Sequence, residues 1–105
     1  MMRRALMLAL MGLIVVSGVA HAYPGVTAQK ILACVSSESY RRARDMMVSQ
    51  DVEAVARMIL AGQCAMLGPS MPVEVEGGSW GTVQFRVRGD IRQWWTDREW
   101  ITRQK

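Results

Sequence analysis

The spacing of hydrophobic and polar residues divides the chain into three regions. An apolar stretch without a charged residue runs from Ala5 to Val16. Between residues 36 and 61, apolar residues recur every three or four positions, which is typical of amphipathic helices. From residue 72 to residue 88, apolar and polar residues alternate, which is typical of strands with one buried face. The pattern predicts an α+β protein with a helical pair packed on a small twisted antiparallel sheet.

Two short helices are predicted in the middle region. Ser36 or Ser37 caps the first, which runs to about Ser49. Asp51 caps the second, which covers residues 52 to 61. The preceding residues are less regular, because a Pro-Gly pair marks a turn or tail and a short apolar run fits either helix or strand. The apolar faces of the two helices are predicted to carry Tyr40, Ala43 and Met47 in the first and Val52, Val55, Ala56, Ile59 and Leu60 in the second.

The alternating region predicts two antiparallel strands joined by a glycine-rich loop. A hairpin with its centre at Ser79 places Val75 opposite Val83 and Val73 opposite Phe85. All four apolar side chains then share one face, and the charged residues between them share the other. The hairpin is therefore expected to bury its valines and expose its charges.

A third strand carries two neighbouring tryptophans, Trp94 and Trp95. Neighbouring strand residues point to opposite faces, so only one of them can enter the core that the valines form. A two-residue turn before the strand places Trp94 inside, whereas a three-residue turn places Trp95 inside. Residues 96–99 match a capping box, which predicts a final helical turn through Trp100 and Ile101.

The first 22 residues have the three zones of a secretory signal peptide. Arg3 and Arg4 precede the apolar stretch, and the small side chains of Ala20 and Ala22 suit cleavage after Ala22. The apolar stretch is shorter than the roughly 20 residues that a membrane-spanning helix needs. We therefore expect a periplasmic or secreted protein without a stable membrane anchor after cleavage, whose residues 23–105 form one small domain.

Cleavage would remove 22 of the 105 residues and leave 83, enough for one small domain. We expect residues 23–63 to form its helical part and residues 64–105 its antiparallel sheet. The 11 basic and 9 acidic residues that remain give a net charge near +2, too balanced to indicate nucleic-acid binding.

Cleavage would also remove His21, the one histidine of the chain. Nucleophilic sites of the Ser-His and Cys-His types need an imidazole, and two cysteines are too few for a zinc site. Catalysis by paired carboxylates stays formally open, but the acidic residues are scattered. We therefore expect no catalytic residue, no metal and no cofactor, and a protein that is not an enzyme.

The two cysteines, Cys34 and Cys64, are expected to form a disulfide, because thiols of small exported domains are usually paired. The bridge would close a loop of about 31 residues and stabilise the fold by about 3.7 kcal/mol in the loop-entropy description. A redox-active pair is the alternative, but the spacing does not resemble C-x-x-C.

The C-terminal half contains a paired-valine strand, a glycine-containing hairpin, a second valine strand and a tryptophan just before a short closing turn. The segments that carry this pattern are Pro72–Val75, Val83–Gly89, Trp95-Thr96 and Trp100-Ile101. The pattern resembles the later strands of a bacterial Src-homology-3 domain, as found in small exported proteobacterial proteins of unknown role. The resemblance implies a partial Src-homology-3-like barrel, binding of a peptide or the cell wall, and a core position for Trp95 with Trp94 outside. The family's first strand and long loop have no evident counterpart, since the disulfide-bounded segment occupies their place.

The expected function is non-enzymatic binding of a protein or a cell-wall component such as peptidoglycan in the cell envelope. An outward Trp94 with Trp80, Arg86, Arg88 and Arg92 would form an aromatic and basic surface, a composition enriched at interfaces. The alternative to this surface is that all four tryptophans fill a small core. The alternative functions are an exported inhibitor or immunity protein that blocks a toxin or wall hydrolase, and a structural subunit of an envelope complex.

Overall fold

The computed structural model describes residues 22–104, which form seven strands in one antiparallel sheet and two α-helices. The predicted signal peptide lies outside the described residues, except for Ala22. Within the described part, neither helix is long and apolar enough to cross a membrane. In chain order the elements are β1 (Tyr23–Thr27), β2 (Ile31–Cys34), α1 (Ser37–Val48), α2 (Val52–Leu60), β3 (Cys64–Leu67), β4 (Pro72–Gly78), β5 (Thr82–Val87), β6 (Trp94–Asp97), a 3-10 helix (Arg98–Trp100) and β7 (Ile101–Arg103).

The two helices begin at the predicted caps. The Ser36 hydroxyl accepts a hydrogen bond from the Ser39 N–H at 3.0 Å, and the Asp51 carboxylate accepts one from the Ala54 N–H at 3.2 Å. Each cap satisfies a donor that the first turn of a helix leaves free. Gly62 follows α2 with φ +78°, a left-handed conformation that ends a helix easily.

The buried stripe of the helices is narrower than predicted. Tyr40 and Ala43 of α1 are buried as expected, whereas Met47 is 44 % exposed. In α2, Val55 is buried as predicted, Ile59 is partly buried, and Met58 is buried although it was not predicted. The predicted core positions Val52, Ala56 and Leu60 are exposed. The spacing gave the correct period, but α2 contacts its neighbours along one edge of its apolar face only.

Strand β1 is a correction to the sequence prediction, which assigned Pro24-Gly25 to a turn or tail. The strand lies between β4 and β7 in the sheet order β3-β2-β6-β5-β4-β1-β7. A Cβ on Gly25 would lie 2.8 Å from Cγ2 of Ile101 and 3.0 Å from the carbonyl oxygen of Thr102. The glycine therefore allows close strand packing and does not mark a turn.

The apolar run before the first helix is also a strand, β2, which pairs with β3 and β6. Both β1 and β2 precede the helices and belong to the sheet. The predicted division into a helical part at 23–63 and a sheet at 64–105 is therefore wrong. The sheet is formed by both halves of the chain, with the helices inserted between β2 and β3.

The β4–β5 hairpin forms, but its register differs by two positions from the prediction. Val75 pairs with Phe85, and Val73 pairs with Val87. The register shifts between Val75 and Gly77, as in a β-bulge, which adds a residue to β4. Since a shift of two positions keeps the faces of a strand unchanged, the predicted apolar residues are still buried.

Hydrophobic clusters cover both faces of the sheet. The first cluster includes residues of β2 and β7, which are far apart in the strand order, so the sheet curls around it. The second fills the space between the sheet and the helices. Within the described residues the edge strands β3 and β7 do not pair, and the sheet is not closed. The first cluster consists of Ile31, Ala33, Val73, Val75, Val83, Phe85, Trp94 and Ile101, and the second of Cys34, Tyr40, Ala43, Met58 and Cys64.

The assignment of Trp95 inside and Trp94 outside is wrong. Trp94 pairs with Phe85 and is 4 % exposed in the first cluster. Trp95 points to the other face, as the alternation of a strand requires, and packs against the second cluster. Because the helices cover that face, neither Trp94 nor Trp95 is available to a ligand. Of the two turn lengths considered for the sequence, the two-residue turn predicts the observed pairing of Trp94 with Phe85.

Cys34 and Cys64 face each other across β2 and β3 and form the predicted disulfide. The bridge lies in the second cluster, at the base of the helical insertion, and both cysteines are buried. Since disulfides persist mainly in oxidising environments, the bridge indicates a compartment other than the cytoplasm.

The predicted capping box does not form. Asp97 precedes the 3-10 helix without a side-chain capping bond. Its carboxylate instead accepts hydrogen bonds from the Tyr40 hydroxyl at 2.7 Å and from the Arg44 guanidinium at 3.1 Å. These two bonds tie α1 to β6, a contact between positions more than 50 residues apart in the chain.

Stability is expected to fall in strongly alkaline solution because of Tyr40. Burial, followed by the hydrogen bond to Asp97, raises the pKa of Tyr40 from 10.0 to about 12. The folded state then holds this proton where the unfolded chain has lost it, so the stabilisation is complete below pH 10 and disappears as the pH rises towards 12. The decline is expected to reach about 2 kcal/mol. Urea unfolding from pH 8 to 12 measures it.

Tyr40→Phe is the control for this pH dependence. The variant is expected to lose about 1 kcal/mol at neutral pH with the hydrogen bond, and most of the alkaline decline with the hydroxyl. An equal decline in the wild-type protein and the variant would assign it to other groups.

Candidate binding site

The predicted aromatic and basic surface is divided in the structure. On the outer face of the hairpin, the Arg86 guanidinium lies 3.3 Å from the Glu76 carboxylate, and that of Arg88 lies 3.1 Å from the Glu74 carboxylate. In each of these cross-strand pairs, the carboxylate neutralises the charge of the guanidinium. Arg86 and Arg88 therefore belong to a charge-paired face of the sheet.

The other three predicted site residues do not form one exposed surface, because Trp94 is buried and Trp80 lies on a separate loop. Trp94 is in the core, and the guanidinium carbon of the exposed Arg92 lies 5.5 Å from the centroid of its ring. Trp80 is fully exposed on the β4–β5 loop. Of the two tryptophans proposed for the surface, Trp80 alone is available to a ligand, so the alternative in which all four tryptophans fill the core is also wrong.

The loop that carries Trp80 is held by its backbone. The Ser79 N–H donates to the Thr82 carbonyl at 3.1 Å. A Cβ on Gly78 would lie 2.5 Å from the same carbonyl oxygen, so the strand ends in a contact that only glycine allows. Gly81 adopts φ +74°. The tryptophan is thus exposed on a defined turn.

Arg98 joins this loop to the start of the 3-10 helix. Its backbone N–H donates to the Gly81 carbonyl at 2.7 Å, and its guanidinium donates to the Ser79 carbonyl at 3.1 Å. The second bond holds the guanidinium next to the base of the loop. Arg98 and Trp80 line the same shallow depression in the surface.

Arg98 also borders a cleft of about 560 Å³ between the end of β4 and the strands β1 and β7. Tyr23 and Arg103 lie on its other side, with the Arg103 guanidinium carbon 4.6 Å from the centroid of the Tyr23 ring. We call this cavity the Arg98 cleft. The residues that line it are Ala22, Tyr23, Val75, Glu76, Gly77, Gly78, Val83, Arg98 and Arg103.

The charge of the Arg98 cleft is positive. Among residues 22–104, neither Arg98 nor Arg103 has a carboxylate within 4.0 Å. Glu76, the acidic residue in the lining, pairs with Arg86 and accepts a hydrogen bond from Gln93 at 3.4 Å. Two guanidinium groups without an ionic partner are suited to bind a carboxylate or another planar anion.

The sequence predicted Trp80 and missed Tyr23, Arg98 and Arg103. The sequence pattern predicts a turn or tail where β1 lies and a capping box around Arg98, so it marks neither Tyr23 nor Arg98 as a site residue. Nothing in the local sequence marks Arg103, whose position depends on the pairing of β7 with β1. In the part of the chain that the structure describes, no three potential metal ligands lie together.

Comparison with models of protein families, with characterised proteins and with solved structures gives no match to this chain.

Proposed function

We propose that the protein is a non-enzymatic binding module of the cell envelope, periplasmic or secreted, with a protein or a cell-wall component as its ligand. The signal-peptide pattern supports export with cleavage after Ala22, and the disulfide is consistent with it. Residues 23–105 contain no histidine, the side chain that most often serves as a general base near neutral pH.

A partial Src-homology-3-like barrel remains our proposal for the fold. The resemblance implies two valine strands joined by a hairpin and a tryptophan before a short turn. Strands β4 and β5 form such a hairpin, and the 3-10 helix follows β6, which carries Trp94 and Trp95. Strand β1 supplies a counterpart for the family's first strand, for which the sequence alone shows none. The curled sheet supports the proposal, although it is open between β3 and β7.

The exposure of Trp80 beside Arg98 is the observation that carries the proposed function. A fully exposed tryptophan leaves a large apolar surface in water, and here a defined turn holds it in that position. Tryptophan, tyrosine and arginine are the residues most enriched among energetically dominant contacts of protein interfaces. Trp80, Arg98, Tyr23 and Arg103 provide all three types in one region.

Binding of the mature protein (residues 23–105) to envelope extract and to purified peptidoglycan tests the proposal. Trp80→Ala is expected to weaken capture about 30-fold or more, since truncation of a dominant interface tryptophan costs at least about 2 kcal/mol. Its melting temperature is expected to stay unchanged. Ile91→Ala is the matched control, because Ile91 is equally exposed on a different turn. Capture unaffected by Trp80→Ala would contradict the proposal.

The alternative is an exported inhibitor or immunity protein that blocks a toxin or wall hydrolase. The defined turn that presents Trp80 favours it, because a hydrogen-bonded backbone loses less conformational entropy when the loop enters a pocket. Co-purification of one enzyme in a fixed ratio would support the inhibitor, and cosedimentation with peptidoglycan would support the wall-binding module.

A further inference from the structure

Strand β4 extends beyond its neighbour β1. The pairing of the two strands begins with Tyr23 opposite Val75, whereas β4 continues to Gly78. Among the described residues, no strand pairs with Gly77 and Gly78 on the side of β1. We call this segment the open edge of β4. An unpaired strand edge offers backbone donors and acceptors to another extended chain.

The open edge lies in the Arg98 cleft and is accessible to a second backbone. Gly77 and Gly78 both line the cleft, and neither has a side chain to shield its backbone. Ala22 lines the same cleft, and the proposed cleavage would remove it. In the mature chain, the position in line with β1 and beside Gly77 and Gly78 would therefore be vacant. Glycine in a strand often marks such a close approach of another chain.

The charges around the open edge favour an acidic occupant. Arg98 and Arg103 border the cleft from two different elements and have no ionic partner in the described residues. The Glu76 carboxylate is occupied by Arg86 and Gln93. A basic segment would thus meet two uncompensated guanidinium groups, whereas carboxylates on alternate residues of an extended segment would form ion pairs with them.

We propose that the ligand of this site is an extended acidic segment of a polypeptide, which adds to the open edge of β4 as a short strand. Hydrogen bonds of the Gly78 N–H and C=O provide affinity, because the Ser79 N–H bonds Thr82 across the hairpin and successive strand residues face opposite edges. Arg98 and Arg103 select carboxylate side chains, and Trp80 contacts an apolar residue at the end of the segment. The inference rests on the proposed binding function and names the class of its ligand.

A nuclear magnetic resonance titration of the ¹⁵N-labelled mature protein tests the inference. The probe is a blocked hexapeptide in which glutamate and valine alternate. We expect shifts of the Gly77 and Gly78 amides and of the Trp80 indole, with binding that weakens as salt is added. Arg98→Gln and Arg103→Gln are each expected to weaken binding about three- to tenfold. Arg41→Gln is the control, because Arg41 is exposed on α1, away from the cleft, and the variant makes the same change in charge.

Three further probes separate the alternatives. The same peptide with lysine in place of glutamate is expected to cause no shifts, and backbone N-methylation of the acidic peptide is expected to abolish the shift at Gly78. Equal binding of the lysine or the N-methylated peptide would overturn the inference. So would equal shifts with an acidic oligosaccharide, which would indicate a glycan ligand.

Failure of the acidic-segment inference is distinguishable from failure of the proposed binding function. A protein that captures envelope material through Trp80 and does not respond to the acidic peptide overturns this inference alone. A protein whose capture is unaffected by Trp80→Ala and which also ignores the peptide overturns both.

Discussion

Replacement of Cys34 and Cys64 by alanine is expected to lower the free energy of unfolding by about 3 to 4 kcal/mol. The two residues are 30 positions apart, and the bridge restricts the unfolded chain over that whole loop. In the folded protein it closes the base of the helical insertion, inside the cluster on which α1 and α2 pack. A domain of this size has only a few kcal/mol of stability from its core. The double variant is therefore expected to be largely unfolded at 37 °C.

Urea unfolding followed by circular dichroism measures this loss, with dithiothreitol as the control. Reductant should destabilise the wild-type protein by a similar amount and leave the double variant unchanged. Two free thiols in a purified mature protein that is still folded would contradict the account, as would a variant as stable as the wild-type protein.

Trp94→Ala is expected to destabilise the protein by about 3 to 5 kcal/mol, the range for removal of a large aromatic side chain from a core. Trp94 packs in the first cluster opposite Phe85, where both residues are almost fully buried. Trp80→Ala removes a tryptophan side chain from a fully exposed position and is expected to change the free energy of unfolding by less than about 0.5 kcal/mol. The two variants form a matched pair with opposite expectations.

Thermal and urea unfolding of the two variants provide the comparison. A small loss for Trp94→Ala would restore the outward tryptophan that the sequence suggested and would invalidate the observed pairing of β6 with β5. A large loss for Trp80→Ala would show that the loop tryptophan supports the fold, and would remove the main argument for a binding surface there.

The elements with local causes agree with the sequence prediction. Ser36 and Asp51 cap their helices because a cap needs only its own side chain and the next turn of backbone. The alternation of Val73 and Val75 fixes which face of β4 is buried, whichever register the hairpin adopts. The disulfide also agrees, since two cysteines in an oxidised domain have one possible pairing.

The candidate site was the least predictable part, because it depends on partners far away in the chain. The register of β5 and β6 places Trp94 inside, and the helices cover Trp95 on the opposite face. Asp97 binds Tyr40 and Arg44 in place of capping the turn that follows it. Local spacing contains no information on these long-range contacts.

Residue spacing and side-chain chemistry were thus sufficient for the α+β class, the helix caps, the buried faces of β4 and β5 and the covalent bridge, since each depends on neighbours within a few positions or on a unique partner. The folded chain alone showed that β1 belongs to the sheet, which of Trp94 and Trp95 enters the first cluster, and that Arg98 and Arg103 border one cleft. Those features arise from pairing between strands that are distant in the chain or joined by an irregular loop, where the free energy of packing the whole sheet outweighs local preference.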